Sequence, residues 1–138
     1  NYAKAPFFKK YKYIIEDLYL EKKWNNISEL DKYAIKKICE VLNIRTKIIS
    51  SLELSACGEK ENRVIDICNK VGANYYLTGP AAKDYIEIEN FSKNAIKLDY
   101  IKYDYKEYKQ VYEPFDHYVT VLDVLFNCGD EAGNYIFK

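Results

Sequence analysis

Apolar side chains recur every three or four residues through the first forty positions, which is the spacing of an amphipathic helix. Phe7, Tyr11, Ile14, Ile15 and Leu18 form one stripe, predicting a helix over Tyr2 to Lys23 with Pro6 in its first turn. Trp24-Asn25-Asn26 interrupts the pattern. Ser28-Glu29-Leu30-Asp31 then has the spacing of a capping box, with Ser28 accepting a backbone N–H and Asp31 reaching back. A second helix follows, its inward face carrying Leu30, Tyr33, Ala34, Ile38, Val41 and Leu42. Asn43 is suited to the left-handed residue that stops it.

Beyond Asn43 the period shortens. Thr46 to Ser50 is β-branched and predicts a strand, after which a polar loop runs to Gly58. Glu59 to Val71 reads as a helix with Val64, Ile65, Cys68 and Val71 on one side and Gly72 as its terminator. Tyr75 to Thr78 predicts a buried strand, and short helices follow over Ala81 to Tyr85 and Ile88 to Lys93. Ile96 to Tyr103 is a third predicted strand, and Asp104 to Phe115, rich in Tyr and Lys, is an extended surface segment. Thr120-Val121-Leu122-Asp123 repeats the capping-box spacing. It opens a helix that buries Val121, Leu122, Leu125 and Phe126, and Gly129 caps it; residues 130–138 read as a frayed helix. Strand, helix and strand over 46–78 make a βαβ unit, so its strands are expected to be parallel neighbours. The expected fold is a single α/β domain over residues 1–138. Its core is a partial doubly wound, Rossmann-like parallel sheet of about three strands with flanking helices.

Composition narrows the function classes. The chain is 49% hydrophobic and 30% charged, which suits a globular protein. Lys plus Arg equals Asp plus Glu at 21 each, so no net field draws the chain to nucleic acid or an acidic membrane. No apolar run is long enough to span a bilayer. Cys39, Cys57, Cys68 and Cys128 form no C-x-x-C pair, which argues against a metal site and for reduced thiols in a cytoplasmic protein. The chain contains no Met, and two helices precede its first strand. Both features lead us to expect the C-terminal part of a longer protein.

Candidate chemistry follows from the expected topology. Parallel strands place their C-terminal ends on one rim, where open α/β sheets bind ligands. Ser50, Ser51, Gly79, Pro80, Asp84 and Tyr85 would gather there. Gly79 would supply backbone angles that other residues avoid, and the helix after Pro80 would offer N–H groups to an anion. Arg63 has the planar fork that clamps a carboxylate or phosphate, against the plainer role of a surface helix residue. Asp123 and Asn127 lie one helical turn apart and share a face, although capping alone accounts for Asp123. His117 is the only histidine, so a triad or a His-rich metal site could be built only around it; near a helix start a surface or capping role is the plainer one. Neither G-x-G-x-x-G nor a P-loop is present. A different class of function, a non-catalytic ligand-binding or protein-interaction module, would use the Tyr-rich segment 100–118 as its contact surface.

Several stretches together resemble the WbqC-like protein family. They are Ala5-Pro6-Phe7-Phe8, Ser50-Ser51-Leu52, Arg63 to Cys68, Gly72-Ala73, Tyr76-Leu77-Thr78-Gly79 and Lys83-Asp84-Tyr85. The most specific is Leu122-Asp123-Val124-Leu125-Phe126-Asn127-Cys128-Gly129. The resemblance implies the C-terminal part of an α/β protein, without the family's first segment. It implies a transferase of bacterial surface polysaccharide (O-antigen, lipopolysaccharide) biosynthesis that moves glycine or another small acyl group to a sugar. It adds Tyr108 and Gln110 to the candidate site. It also suggests a nucleotide bound with the N-terminal part, and a small-molecule substrate such as a nucleotide sugar; the balanced charge and the lack of a long apolar run leave neither nucleic acid nor membrane as an expected partner. The sequence departs from the family where a His-Pro commonly precedes Tyr-Pro-Gln. Here those positions hold Tyr105-Lys106 and Tyr108-Lys109-Gln110, and His117 replaces a usual Pro. The resemblance therefore leaves the catalytic residue unassigned.

Overall fold

The computed structural model describes residues 2–104 and 106–137. The chain divides into two compact units. Unit 1 comprises Asn1–Thr46 with Tyr105–Lys138, and unit 2 comprises Lys47–Asp104.

Unit 1 is helical. The predicted first helix is broken into short pieces: a 3-10 turn Tyr2–Lys4, α1 (Phe8–Tyr11), α2 (Tyr13–Glu16) and a π turn Asp17–Glu21. Its apolar stripe holds nonetheless, since Tyr11, Ile14 and Leu18 are buried. Helix α3 spans Ile27–Val41, and its cap lies two residues before the predicted one. Asn26 is the cap, accepting from the Glu29 N–H at 3.0 Å, while Glu29 takes the Asn25 N–H at 3.2 Å. Asn43 has the expected left-handed backbone, φ 55°. Helix α6 spans Val121–Cys128, and α7 spans Gly133–Ile136. Val124, Leu125 and Phe126 of α6 fill the core with Ile14, Leu18 and Tyr11. The rings of Tyr2 and Phe8 pack on Phe126 at 5.1 and 5.2 Å, and the Phe7 N–H donates to the Phe126 carbonyl at 2.9 Å. Gly129 ends α6 at φ 61°, and a Cβ there would lie 2.6 Å from the Phe7 ring, so both backbone and space demand glycine.

Unit 2 carries a mixed α/β arrangement around a two-stranded parallel sheet. Helix α4 (Lys60–Val71) ends at Gly72, φ 69°, as its sequence predicts. Strand β1 (Tyr75–Thr78) leads through a 3-10 turn Pro80–Asp84 and α5 (Ile88–Lys93) to β2 (Lys97–Tyr100). Tyr75 pairs with Lys97 and Thr78 with Tyr100 in parallel register. One face of the sheet, with Tyr76, Leu98 and Tyr100, packs on a core of Ile65, Cys68, Ala82, Ile86, Phe91 and Ile96. The Tyr76 and Phe91 rings stack at 5.5 Å, nearly parallel. Tyr75 and Leu77 face outward, so β1 is half-exposed rather than buried.

The βαβ unit therefore lies over residues 75–100, one step later than expected. Residues 46–50 join no ladder: Ile48 and Ile49 are 46% and 40% exposed, and β-branched residues without a partner strand gain little from extending. A three-stranded Rossmann-like sheet is thus replaced, among the described residues, by two strands. No helix of the described residues is long and apolar enough to cross a membrane.

Candidate functional site

Asp123 stands at the third position of α6 and points inward. A first-turn acid normally faces water and the free N–H groups of the helix end. The Thr120 hydroxyl already caps that end, accepting from the Leu122 N–H at 3.2 Å. Asp123 is thereby freed from the capping role its spacing suggests and is only 5% exposed. Its Oδ1 accepts three side-chain donors: the Tyr108 hydroxyl at 2.6 Å, Gln110 Nε2 at 3.0 Å and Asn127 Nδ2 at 3.2 Å.

Each donor is itself held. Asn127, one turn along α6, also donates to the Asp123 carbonyl at 2.9 Å. Gln110 is locked by the loop it belongs to: its Nε2 donates to the Asp116 carbonyl at 3.0 Å, and its Oε1 accepts the Asp116 N–H at 2.8 Å. Both amides are 9% exposed. Tyr108 packs edge-on against Phe115 and Tyr135, at 5.1 and 5.5 Å. The segment 104–115, expected to be a surface strip, thus turns two side chains into the interior.

All three donors are neutral, and among the described residues no Lys, Arg or His forms an ion pair with Asp123. Burial and the carboxylate together raise the titratable groups around it. Burial first, and then the hydrogen bond to Asp123, push the Tyr108 phenol far above its ordinary range, so its proton stays on the donor side. Burial and then the same carboxylate also raise Tyr2. Burial, followed by the charges of Asp123 and Glu131, raises the Cys128 thiol.

Two cavities flank this cluster. One, of about 280 Å³, is lined by Tyr2, Gln110, Tyr112, Asp116 and Asp123 among others, so the carboxylate stands in its wall. The other, of about 160 Å³, has Tyr108, Phe115 and Tyr135 for walls, with Lys106 and His117. Val119 borders both. The His117 ring stands edge-on to Phe115 at 4.7 Å, and its Nε2 lies 3.9 Å from Glu107, on the surface. Tyr105 lies outside the described residues.

The structure brings together four of the sequence-predicted residues, Tyr108, Gln110, Asp123 and Asn127, all in unit 1. The other seven belong to unit 2 and have local roles. The Ser50 hydroxyl accepts from the Leu52 N–H at 3.4 Å within a turn that Ser51 shares. Arg63 Nη1 donates to the Ala56 carbonyl at 2.7 Å and so fastens its own preceding loop. Pro80 opens a 3-10 turn of five residues. Gly79 is extended, φ −72° and ψ 157°, with open space where a Cβ would stand, so neither backbone nor crowding requires glycine. Asp84 and Tyr85 are exposed. Because residues 46–50 form no strand, the shared rim on which Ser50, Ser51 and Gly79 were expected to meet is not formed from two strand ends. Sequence reasoning missed Tyr2 and Asp116 at the cluster; their only signal was proximity to the aromatic and Asp-containing segments at each end of unit 1.

The four cysteines are free thiols, Cys68 buried and Cys57 exposed.

Comparison with known proteins adds two findings. The model of the WbqC-like protein family matches residues 1–135. A Mycobacterium tuberculosis protein described as uncharacterized protein Rv1507c is 32% identical over 137 residues, covering 99% of this chain; the chain spans 59% of that relative's length. No solved structure matches.

Proposed function

Since the chain belongs to the WbqC-like protein family, we propose that it serves a transferase of bacterial surface polysaccharide biosynthesis, one that moves a small acyl group such as glycine to a sugar. The observation that carries the proposal is the Asp123 carboxylate, buried in a cleft wall among neutral donors. A buried charge without a counter-charge costs several kcal/mol, and proteins keep such groups where a ligand or a reaction uses them. A ligand ammonium would supply the missing charge, and both an amino acid and an amino sugar carry one. Three donors on a single oxygen hold the carboxylate in one orientation, which is the positioning a transferred or accepting amine requires. The proposed substrates are accordingly small amine-bearing molecules, with a nucleotide sugar as the sugar partner, and the proposed setting is the cytoplasm.

The experiment is a thermal-shift screen with glycine, other amino acids, amino sugars and nucleotide sugars, run on the protein and on Asp123→Asn. We expect an amine-bearing compound to raise the midpoint of the protein and not of the variant. Equal shifts in both would remove Asp123 from the site.

One observation favours the alternative of a contact surface: Tyr118 is 98% exposed, and Tyr112 of the same segment is exposed as well. That surface would act through aromatic contact alone and would leave Asp123 unused.

A further inference from the structure

We propose that the aromatic chamber next to Asp123 is a subsite for a single six-membered base, a pyrimidine, whose phosphate is held at the rim by Lys106. The inference deepens the transferase reading by naming which part of a nucleotide-linked substrate enters the chamber.

Size sets the first limit. The chamber measures about 160 Å³. An apolar protein cavity of about 150 Å³ accommodates benzene, so the space matches one six-membered ring, and a fused purine would have to extend out of it. The walls set the second limit. Tyr108 meets Phe115 at 87° and Tyr135 at 65°, and Phe115 meets His117 at 82°. Rings set at such angles make the corners of a box and present both faces and edges to an occupant, the arrangement aromatic groups prefer. The remaining lining is largely aliphatic, including Val121, Val124 and Ile136. A polyhydroxylated sugar would leave most of its hydroxyls unpaired in such a chamber. A planar base loses far less there and gains stacking on the rings.

Charge sets the third limit. Lys106 is exposed and lines the chamber, and no carboxylate among the described residues lines it. A cation beside an aromatic box suits a base that carries phosphate. Tyr108 links this chamber to the other cleft, because its ring is a wall of one and its hydroxyl binds the carboxylate in the wall of the other. A pyrimidine nucleotide in the aromatic chamber would thus stand beside an amine at Asp123.

The test is calorimetric titration of uridine monophosphate into the full chain, with adenosine monophosphate and uridine as comparisons. We expect saturable binding of uridine monophosphate, and binding of the adenosine compound and of uridine weaker by about tenfold each. Lys106→Gln should reduce the uridine monophosphate affinity to that of uridine, and Val121→Phe should abolish it by filling the chamber. No binding of uridine monophosphate, equal binding of the two nucleotides, or an unchanged affinity in Lys106→Gln would overturn the proposal. The wild-type comparisons decide it even if Val121→Phe does not fold. The probe carries neither amine nor acyl group, so its failure and a failure at Asp123 are read separately.

Discussion

The two units fill their interiors with different material. Unit 2 packs Ile65, Cys68, Ala82, Ile86, Phe91 and Ile96, and its charged groups stay near the surface. There they tie loops down: Glu61 accepts the Glu87 N–H at 2.9 Å, and Asp66 accepts the Cys57 N–H at 2.7 Å. Unit 1 packs Ile14, Leu125 and Phe126, yet beside them it buries Asp123, Gln110 and Asn127. Apolar burial stabilises at about 25 cal/mol per Å² without any further requirement, whereas a buried carboxylate stabilises nothing unless every lone pair is answered. The interior of unit 2 is explained by folding alone. The interior of unit 1 is fully hydrogen-bonded too, but it holds a carboxylate with no ion-pair partner among the described residues, and for that reason the candidate site is drawn there and not at the strand ends.

The sharpest way to probe this contrast is to empty the core of unit 2. Phe91 is fully buried and stacked on Tyr76, so Phe91→Ala should cost about 3–5 kcal/mol in a denaturant titration while leaving ligand binding in unit 1 unaffected wherever unit 1 stays folded. A smaller loss comes from unit 1. Tyr108→Phe removes one of the three donors to a buried carboxylate and should cost about 1–3 kcal/mol. The aromatic packing on Phe115 and Tyr135 should persist, so aromatic circular dichroism should change little.

The glycines separate the units further. Gly129→Ala forces a non-glycine residue to φ 61° and drives its Cβ into the Phe7 ring, at a cost of about 1–3 kcal/mol or more. Gly79→Ala meets open space at an extended backbone and should change stability by less than about 1 kcal/mol, in the stabilising direction. Thermal midpoints of the two variants check the pair; a destabilised Gly79→Ala would mean that the turn after β1 needs glycine for a reason other than backbone angle or space.

The smallest effect is in the pH dependence. Glu61 and Asp66 are held below the ordinary carboxylate range, first by the backbone N–H each accepts and next by Asn90 and Lys70. Their contribution is present above about pH 4 and is lost as pH falls below it. Tyr108 and Tyr2 are raised, so their contribution is present below about pH 10 and is lost as pH rises beyond it. Amide exchange read residue by residue should show the segments that Glu61 and Asp66 tie down opening as pH falls, and the neighbourhood of Tyr108 opening as pH rises.

Local pattern carried much of this fold. The α4 helix with its Gly72 stop, β1, α5 and the α6 helix with its Gly129 cap were all legible, because each has its own periodicity and terminator. Thr46 to Ser50 misled because β-propensity is realised only against a partner strand, and Ile48 and Ile49 have none. The site was half legible. The family resemblance points to Tyr108 and Gln110 and helical spacing pairs Asp123 with Asn127, but spacing alone makes Asp123 a cap, since it does not tell which way a first-turn acid points. Gly79 does not use the conformational freedom its sequence suggests, since a glycine before a proline can simply be extended.

The measurement that bears most directly on the central claim is the paired stability and ligand response of Asp123→Asn. The substitution keeps the shape and one acceptor oxygen while removing the buried charge, whose burial is costly. If the carboxylate is there for a ligand, the variant should unfold within about 1 kcal/mol of the wild type or above it, and the amine-dependent thermal shift should vanish. A variant several kcal/mol less stable that still responds to the amine would make Asp123 a structural residue and contradict the account.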